Sequence, residues 1–169
     1  MKAQIERAAS VLTGRSLWTF RRTADLAVFH FGDKRQVKTF HGETAEVGEY
    51  ALHVQCAWRF SQGDRVITGN GDLYDPVVIQ SEKSDPNFDW KKQPARVDEL
   101  MQSLFENGTR QFIVQRVEVG VAASLCIHLE REFVLQIFPN YSGSDEYWRF
   151  LKPGKDEPHF VLTGNGIEI

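Results

Sequence analysis

The sequence predicts an α+β fold in which two helices pack on predominantly antiparallel sheets. Two segments have apolar residues at helical spacing. Most of the remaining chain alternates between apolar and polar residues, which is typical of half-buried strands. The predicted strands are joined by very short links, as expected for antiparallel hairpins. We expect a single compact domain over residues 1–169.

The two helices are predicted over residues 2–13 and 94–107. In each segment, apolar residues recur at i, i+3, i+4 and i+7 and form one helical face. A glycine follows the last apolar residue in both cases, Gly14 in the first and Gly108 in the second, as is common at helix ends. Pro94 suits the first turn of the second helix.

Period-two alternation predicts strands over Tyr50–Phe60, Arg65–Thr68, Gln111–Val119, Ala122–Glu130, Glu132–Pro139, Tyr147–Lys152 and Phe160–Thr163. The first of these is predicted as one continuous strand. Its apolar side chains face the core, while His53, Gln55 and Arg59 form a polar face. Residues 77–93 have no sustained period and are predicted to be a linker or mobile loop.

Several strings recur in the two halves of the chain. Trp58-Arg59-Phe60 recurs as Trp148-Arg149-Phe150, and Thr68-Gly69-Asn70-Gly71 recurs as Thr163-Gly164-Asn165-Gly166. Because the strings recur in the same order in both halves, they predict a duplicated α-β5 unit with pseudo-twofold symmetry. The repeats would be residues 1–76 and 94–169, and residues 77–93 would be the linker between them. Chance is the alternative, because Gly-Asn-Gly is common in turns. A duplicated fold would place a cleft between the halves, and a cleft is a natural binding site.

Composition and charge argue against several classes of function. The chain has 20 Lys and Arg against 23 Asp and Glu, a net charge of −3, so it lacks the basic surplus that nucleic-acid binding favours. No apolar run approaches the roughly 20 residues of a membrane span, and no secretory signal is recognisable. Cys56 and Cys126 form neither a CxxC pair nor a disulfide framework. We therefore expect a cytoplasmic protein without nucleic-acid or membrane partners.

No motif for a known catalytic or cofactor chemistry is present. The sequence lacks a GxxxxGK[ST] loop, a GxGxxG string between a strand and a helix, and a GxSxG elbow. Cys126 and His128 share a strand face, but their side chains start about 7 Å apart, too far for a thiolate–imidazole pair. The five histidines show no metal-ligand spacing. We expect neither a cofactor nor a metal.

His53, Arg59, Asp72 and Tyr74 are the candidates for a ligand-binding site. A carboxylate beside an aromatic ring in a cleft can act as an acid or base, although Asn-Gly-Asp and Tyr-Asp-Pro are also turn sequences. The polar face with His53 and Arg59 either lines a pocket or faces water. Trp90 stands in an otherwise charged loop, where it either anchors a protein partner or packs back onto the sheet.

Four strings in the sequence are distinctive: GEYALHVQCAWR (48–59), GDLY (71–74), YWRF (147–150) and PHFV (158–161). Together they resemble a group of uncharacterised bacterial cytoplasmic proteins of similar size, and the resemblance spans most of the chain. It implies a bacterial cytoplasmic origin. It implies no activity, cofactor or catalytic residue.

The leading functional hypothesis is a non-enzymatic protein-interaction module, such as a bacterial immunity-like or accessory protein that binds one protein partner. It is based on the missing catalytic motifs, the acidic balance, the compact size and the loop with Trp90. The alternative is a small-ligand-binding protein or an unrecognised enzyme with a cleft between the two halves. A purely structural subunit would require a large apolar surface patch. The oligomeric state does not follow from the sequence.

Overall fold

The structure is a computed structural model that describes residues 1–39, 42–77 and 86–168. These ranges contain two α-helices and an eleven-stranded sheet. The helices are α1 (Lys2–Ala9) and α2 (Arg96–Leu104), and the strands are β1 (Ser16–Thr23), β2 (Leu26–Lys38), β3 (Thr44–Val54), β4 (Ala57–Gln62), β5 (Arg65–Gly69), β6 (Phe112–Val119), β7 (Leu125–Leu129), β8 (Phe133–Phe138), β9 (Glu146–Leu151), β10 (Phe160–Thr163) and β11 (Gly166–Glu168). The strand pairs are antiparallel, which confirms the α+β prediction.

Both predicted helices are confirmed, but each α-helix ends earlier than predicted. A 3-10 turn over Ser10–Leu12 continues α1, and a second one over Glu106–Gly108 follows α2. Asn107 within this second turn has a φ of 55°, and Gly108 has a φ of +90°. A right-handed helix cannot continue through residues with positive φ, so the helical segment stops there.

The strand order is β11-β10-β9-β3-β2-β1-β6-β7-β8-β4-β5. We call β11 to β1 in this order the first half-sheet, and β6 to β5 the second. Among the described residues, strand pairing joins the two half-sheets where β1 lies beside β6. There Ser16 is opposite Ile113 and Leu17 is opposite Phe112, and backbone hydrogen bonds also join Val114 to the residues just before β1.

The two halves of the chain form the same pattern around this junction. Each of β1 and β6 is followed outward by the next two strands of its own half, and then by strands of the other half. The pairing register shifts at the same place in both, between Leu17 and Thr19 in β1 and between Val114 and Arg116 in β6. Ser16 opposite Ile113 therefore lies where a pseudo-twofold axis would pass.

The recurring strings behave differently from each other in this arrangement. Trp58-Arg59-Phe60 of β4 pairs with β8, and Trp148-Arg149-Phe150 of β9 pairs with β3, in matching registers. The Thr-Gly-Asn-Gly strings are not equivalent, because Thr68 is opposite Phe60 whereas Thr163 is opposite Glu146. Phe160, not Thr163, is opposite Phe150. Of the two recurring strings, therefore, only Trp-Arg-Phe pairs with its neighbouring strand in the same way in both halves.

The prediction of one strand over Tyr50–Phe60 is wrong. β3 ends at Val54, β4 begins at Ala57, and the two strands lie in different half-sheets. The backbone N–H groups of Gln55 and Cys56 at the corner both donate to the Tyr147 carbonyl oxygen, at 2.9 and 3.1 Å. The alternation continues through the corner because Cys56 is itself buried, so the sequence pattern does not mark the break.

One hydrophobic cluster joins both helices to both half-sheets. Several of its aromatic side chains pack edge to face or tilted, for example Phe29 with Trp58 at a centroid distance of 5.2 Å and Phe112 with Phe133 at 4.8 Å. Fully burying a side chain such as Phe29 stabilises the fold by about 1.5–3 kcal/mol. Ile5 of α1 is fully buried in the same cluster, and Met101 of α2 is almost fully buried there.

Arg22 of β1 fixes α2 and the segment before it. Its Nε and Nη2 donate to the carboxylate of Asp98, at 2.7–3.0 Å, and its remaining donors reach the backbone oxygens of Ala24, Trp90 and Gln93 at 2.9–3.1 Å. The Arg22 side chain is only 12% exposed. Arg22 therefore holds the predicted linker to β1 at Trp90 and Gln93. Residues 78–85 of this linker lie outside the described residues.

Replacing Arg22 by alanine should lower the free energy of unfolding by about 2–4 kcal/mol, because the partly buried Asp98 carboxylate loses its partner. Arg22→Lys should restore only part of this, since an ammonium cannot bind both carboxylate oxygens and three carbonyls in one plane. Urea denaturation measures the change. Trypsin cleavage after Lys91 and Lys92 should also become faster.

Arg65→Ala is the matched control, because the Arg65 side chain is exposed on β5 and has no hydrogen bond or ion pair with a described residue. It should change the stability by less than about 0.5 kcal/mol. Equal effects of Arg22→Ala and Arg65→Ala would contradict the role assigned to Arg22.

Candidate functional site

Two of the four predicted ligand residues lie in different half-sheets. His53 of β3 is directly opposite Arg149 of β9. Arg59 of β4 donates from Nε to Gln136 Oε1 at 2.6 Å, and its guanidinium lies 5.8 Å from the centroid of the Phe138 ring. In the described part of the chain, no hydrogen bond or ion pair joins His53 to Arg59. The continuous polar face predicted for them is not formed, because the chain changes half-sheet between them.

The other two predicted ligand residues, Asp72 and Tyr74, lie in a 3-10 helix over Asn70–Tyr74 that follows β5. The Asp72 carboxylate accepts hydrogen bonds from Thr68 Oγ1 at 2.8 Å and from the Gly69 N–H at 3.3 Å. It stabilises the exit from β5, which is the turn role that the sequence left open. Tyr74 is 56% exposed. The structure does not bring the four residues into one contact set, and their ligand role stays a prediction.

Trp90 packs back toward the sheet. Its ring meets the Tyr74 ring edge to face at a centroid distance of 5.3 Å, and the Lys91 ammonium lies 5.3 Å from its centroid. Its carbonyl oxygen accepts a hydrogen bond from Arg22. The indole is partly buried against the hydrophobic cluster. A partner-binding role for Trp90 stays a prediction, with the side chain already engaged within the chain.

The cysteines lie in two different settings. Burial raises the pKa of the Cys56 thiol to about 12, so it is a protonated, structural side chain at neutral pH. Cys126 of β7 is half-buried, and its sulfur accepts a long hydrogen bond from Gln136 Nε2 at 3.7 Å. His128 instead lies beside Glu118 of β6, with Nε2 3.2 Å from the carboxylate.

A row of directly opposed residues crosses five strands of the first half-sheet. It runs from Arg21 of β1 through Val28, His53 and Arg149 to Val161 of β10. Residues directly opposite each other in adjacent strands project from the same face of a sheet. The row thus combines two guanidinium groups and one imidazole on the face away from the hydrophobic cluster.

Glu146 and His159 extend this polar surface around Arg149. The Arg149 guanidinium binds both oxygens of the Glu146 carboxylate, and its Nη1 lies 3.5 Å from His159 Nδ1. Burial alone would raise the pKa of Glu146, but the Arg149 guanidinium outweighs it and holds this pKa below its usual range. Burial, with Arg149 as a second cause, lowers the pKa of His53. We call His53, Glu146, Arg149 and His159 the histidine face.

His30 of β2 lies next to this face and is only 5% exposed. Its ring stacks on Trp18 at a centroid distance of 5.7 Å, and its Nδ1 accepts a hydrogen bond from the Gly48 N–H at 3.1 Å. Burial, reinforced by the positive charge of Arg21 and by His53, lowers the pKa of His30 to about 4. The imidazole is therefore neutral at pH 7 and donates only from Nε2.

Sequence reasoning found His53 but not the other members of the histidine face. Glu146, Arg149 and His159 come from β9 and the segment before β10, which reach β3 only through the strand order. One signal did point to Arg149, because it stands in the recurring Trp-Arg-Phe string at the place of Arg59.

A groove of about 340 Å³ separates β1 from α2. It is lined by Thr19, Phe20, Arg21, Asp98, Met101, Gln102, Phe105, Asn107 and Gly108. We call it the β1–α2 groove. Its first wall belongs to the first half of the chain and its second wall to the second half. The groove therefore lies between the two halves, but the residues predicted to line a cleft there, His53, Arg59, Asp72 and Tyr74, are not among its lining residues.

The backbone of β1 is open toward this groove. Its contact with β6 ends at Leu17. Residues 19–23 pair only with β2, and no backbone hydrogen bond joins their other edge to a described residue. The Arg21 side chain is exposed and forms no hydrogen bond or ion pair within the described ranges. The Asp98 carboxylate, by contrast, is already bound by Arg22.

The chain matches no protein-family model, no curated protein and no solved structure. No helix in the described ranges is long and apolar enough to cross a membrane. Among the described residues, no group of three or more His, Cys, Asp and Glu side chains is arranged to hold a metal ion.

The low pKa of His30 predicts an acid-sensitive fold. Its ordinary pKa is 6.5 and its folded-state pKa is about 4, so below pH 6.5 the unfolded chain binds the proton more readily than the folded chain. The contribution of neutral His30 to the free energy of unfolding is therefore complete above about pH 6.5. It decreases by up to about 3 kcal/mol as the pH falls toward 4. His53 acts in the same direction.

Urea denaturation at several pH values between 4 and 7 checks this. His30→Gln should remove most of the fall in stability, whereas His128→Gln, in the second half-sheet, should keep it. An unchanged pH dependence in His30→Gln would contradict the assignment.

Proposed function

We propose that the chain is a non-enzymatic protein-interaction module that binds a segment of one partner protein in the β1–α2 groove. The single observation that supports this most is the open edge of β1 beside the groove. Backbone N–H and C=O groups along an unpaired strand edge readily pair with another chain.

The side chains of the groove fit binding better than catalysis. Asp98 is a carboxylate that could exchange protons, but both of its oxygens are occupied by Arg22. Met101 and Phe105 lie buried at the floor of the groove, and Gln102 is exposed beside them. An apolar floor with a few polar groups at the rim is typical of recognition surfaces.

More specifically, we propose that the chain is a bacterial immunity-like or accessory protein that acts in the cytoplasm. This proposal is supported by the resemblance of the four distinctive strings, the small size of the chain and its net charge of −3.

A small-ligand-binding role is the second candidate, and it would use the same groove. A volume of about 340 Å³ lies within the range of small-molecule sites, roughly 300–1,000 Å³.

We also propose that the two halves of the chain arose by duplication of an α-β5 unit. The matching register shifts in β1 and β6 and the matching pairing of the two Trp-Arg-Phe strings support this. In such a duplication, β4 and β5 of the first unit pair with the second unit, and β9 and β10 pair with the first.

Native mass spectrometry of the protein, isolated at natural abundance from the organism that encodes it, tests the function. We expect a stoichiometric protein adduct on the natural chain. Gln102→Trp should remove this adduct, because the indole fills the groove from an exposed position of α2. Ser103→Trp is the matched control, since it adds the same bulk to the next residue of the helix, outside the groove.

An adduct that survives in Gln102→Trp, or a natural chain that carries nothing, would contradict the proposal. A small mass that disappears in Gln102→Trp would favour the second candidate.

A further inference from the structure

We propose that the occupant of the β1–α2 groove is an extended, acidic segment of the partner, which adds as a strand to the open edge of β1 and places a carboxylate against Arg21. This inference deepens the proposed function and depends on it. It rests on three features of the groove: its backbone edge, its unpaired charge and its floor.

The backbone edge defines the shape of the occupant. In an antiparallel pair, alternate residues direct their N–H and C=O groups toward one neighbour and the residues between them toward the other. Because residues 19–23 pair with β2 alone, half of their backbone groups point toward the groove. An extended segment can satisfy these groups in register, whereas a helix has no free backbone groups to offer along its length.

The length of the wall sets the size of the contact. Thr19, Phe20 and Arg21 line the groove on the strand side. At about 3.3 Å per residue they span roughly 10 Å, which matches about three residues of an added strand. Alternate side chains of that strand would face the floor with Met101 and Phe105, and the others would face solvent.

The unpaired charge sets the chemistry of the occupant. Arg21 is exposed and has no ion pair with a described residue, while the charge of Asp98 is balanced by Arg22. Glu106, near the far end of the groove, is bound by Arg110. The rim therefore carries one uncompensated positive charge, and a carboxylate complements it.

The same charge argues against a second copy of this chain as the occupant. Antiparallel pairing of two β1 edges around a twofold axis would bring the Arg21 side chains of both copies close to each other. Like charges across a strand pair are destabilising. An acidic strand from a different protein avoids this repulsion.

The test uses the full chain and a display library of random linear nonapeptides. Peptides are selected on the natural protein, and those that also bind Gln102→Trp are discarded. We expect the remaining peptides to share an Asp or Glu at one position and apolar residues at alternate positions. Arg21→Glu should weaken their binding at least tenfold, and replacing the peptide acid by lysine should restore binding to Arg21→Glu.

Arg65→Glu is the control, because it reverses an exposed arginine on β5 and should leave the affinity unchanged. A scan of single N-methyl groups along the best peptide tests the strand pairing. Methylation should weaken binding at every second amide, because only those amides face β1.

Three results would overturn the inference: no groove-dependent peptides, binding that is insensitive to Arg21→Glu, or an N-methyl scan without a period of two. If the natural protein adduct is nevertheless lost in Gln102→Trp, the proposed function stands and only the strand-addition mode is wrong. If the adduct persists there while acidic peptides bind Arg21 in strand register, the strand mode stands and the proposed function is wrong.

Discussion

The junction between β1 and β6 is short, and the rest of the architecture follows from this. Two residue pairs join the strands, and immediately beyond them the pairing of each strand with its hairpin partner shifts register, after Leu17 in β1 and after Val114 in β6. An extra residue in one strand bends it and increases its twist. The two strands therefore diverge, and each half-sheet continues outward with its own hairpin.

The divergence creates the space that the helices occupy. α1 packs beside β6 and α2 packs beside β1, and both insert apolar residues into the cluster shared by the half-sheets. Arg22 then fixes α2 at its first turn through Asp98, and it fixes the approach to α2 through backbone oxygens. The groove remains between the helix and the strand because α2 is bound to β1 through the Arg22 and Asp98 side chains, and no backbone hydrogen bond joins the described residues of the two elements.

Much of the fold could be predicted from sequence because local patterns are strong. The helices over 2–13 and 94–107 and most strands follow from apolar spacing alone. The break after Val54 could not be predicted, since the buried Cys56 continues the alternation. The Thr-Gly-Asn-Gly strings suggested an incorrect match between the two halves. The same turn residues occur at the ends of β5 and β10, but the two threonines pair with non-equivalent residues.

The candidate site was less accessible to sequence reasoning. The β1–α2 groove depends on which strands are neighbours, and the histidine face depends on β9 lying beside β3. No local pattern encodes either arrangement. Arg22 illustrates the same limit, because its partners Trp90, Gln93 and Asp98 lie 68–76 residues further along the chain. Asp72 shows the opposite case, in which a local turn signal explains a candidate functional residue.

Residue-resolved amide hydrogen exchange by NMR shows whether the edge of β1 beside the groove is open to another strand. Alternate amides of residues 19–23 should exchange much faster than the amides of residues 51–54, which lie in β3 between two paired neighbours. Slow exchange of all amides in residues 19–23, at the level of residues 51–54, would show that this edge is already covered and would contradict the account.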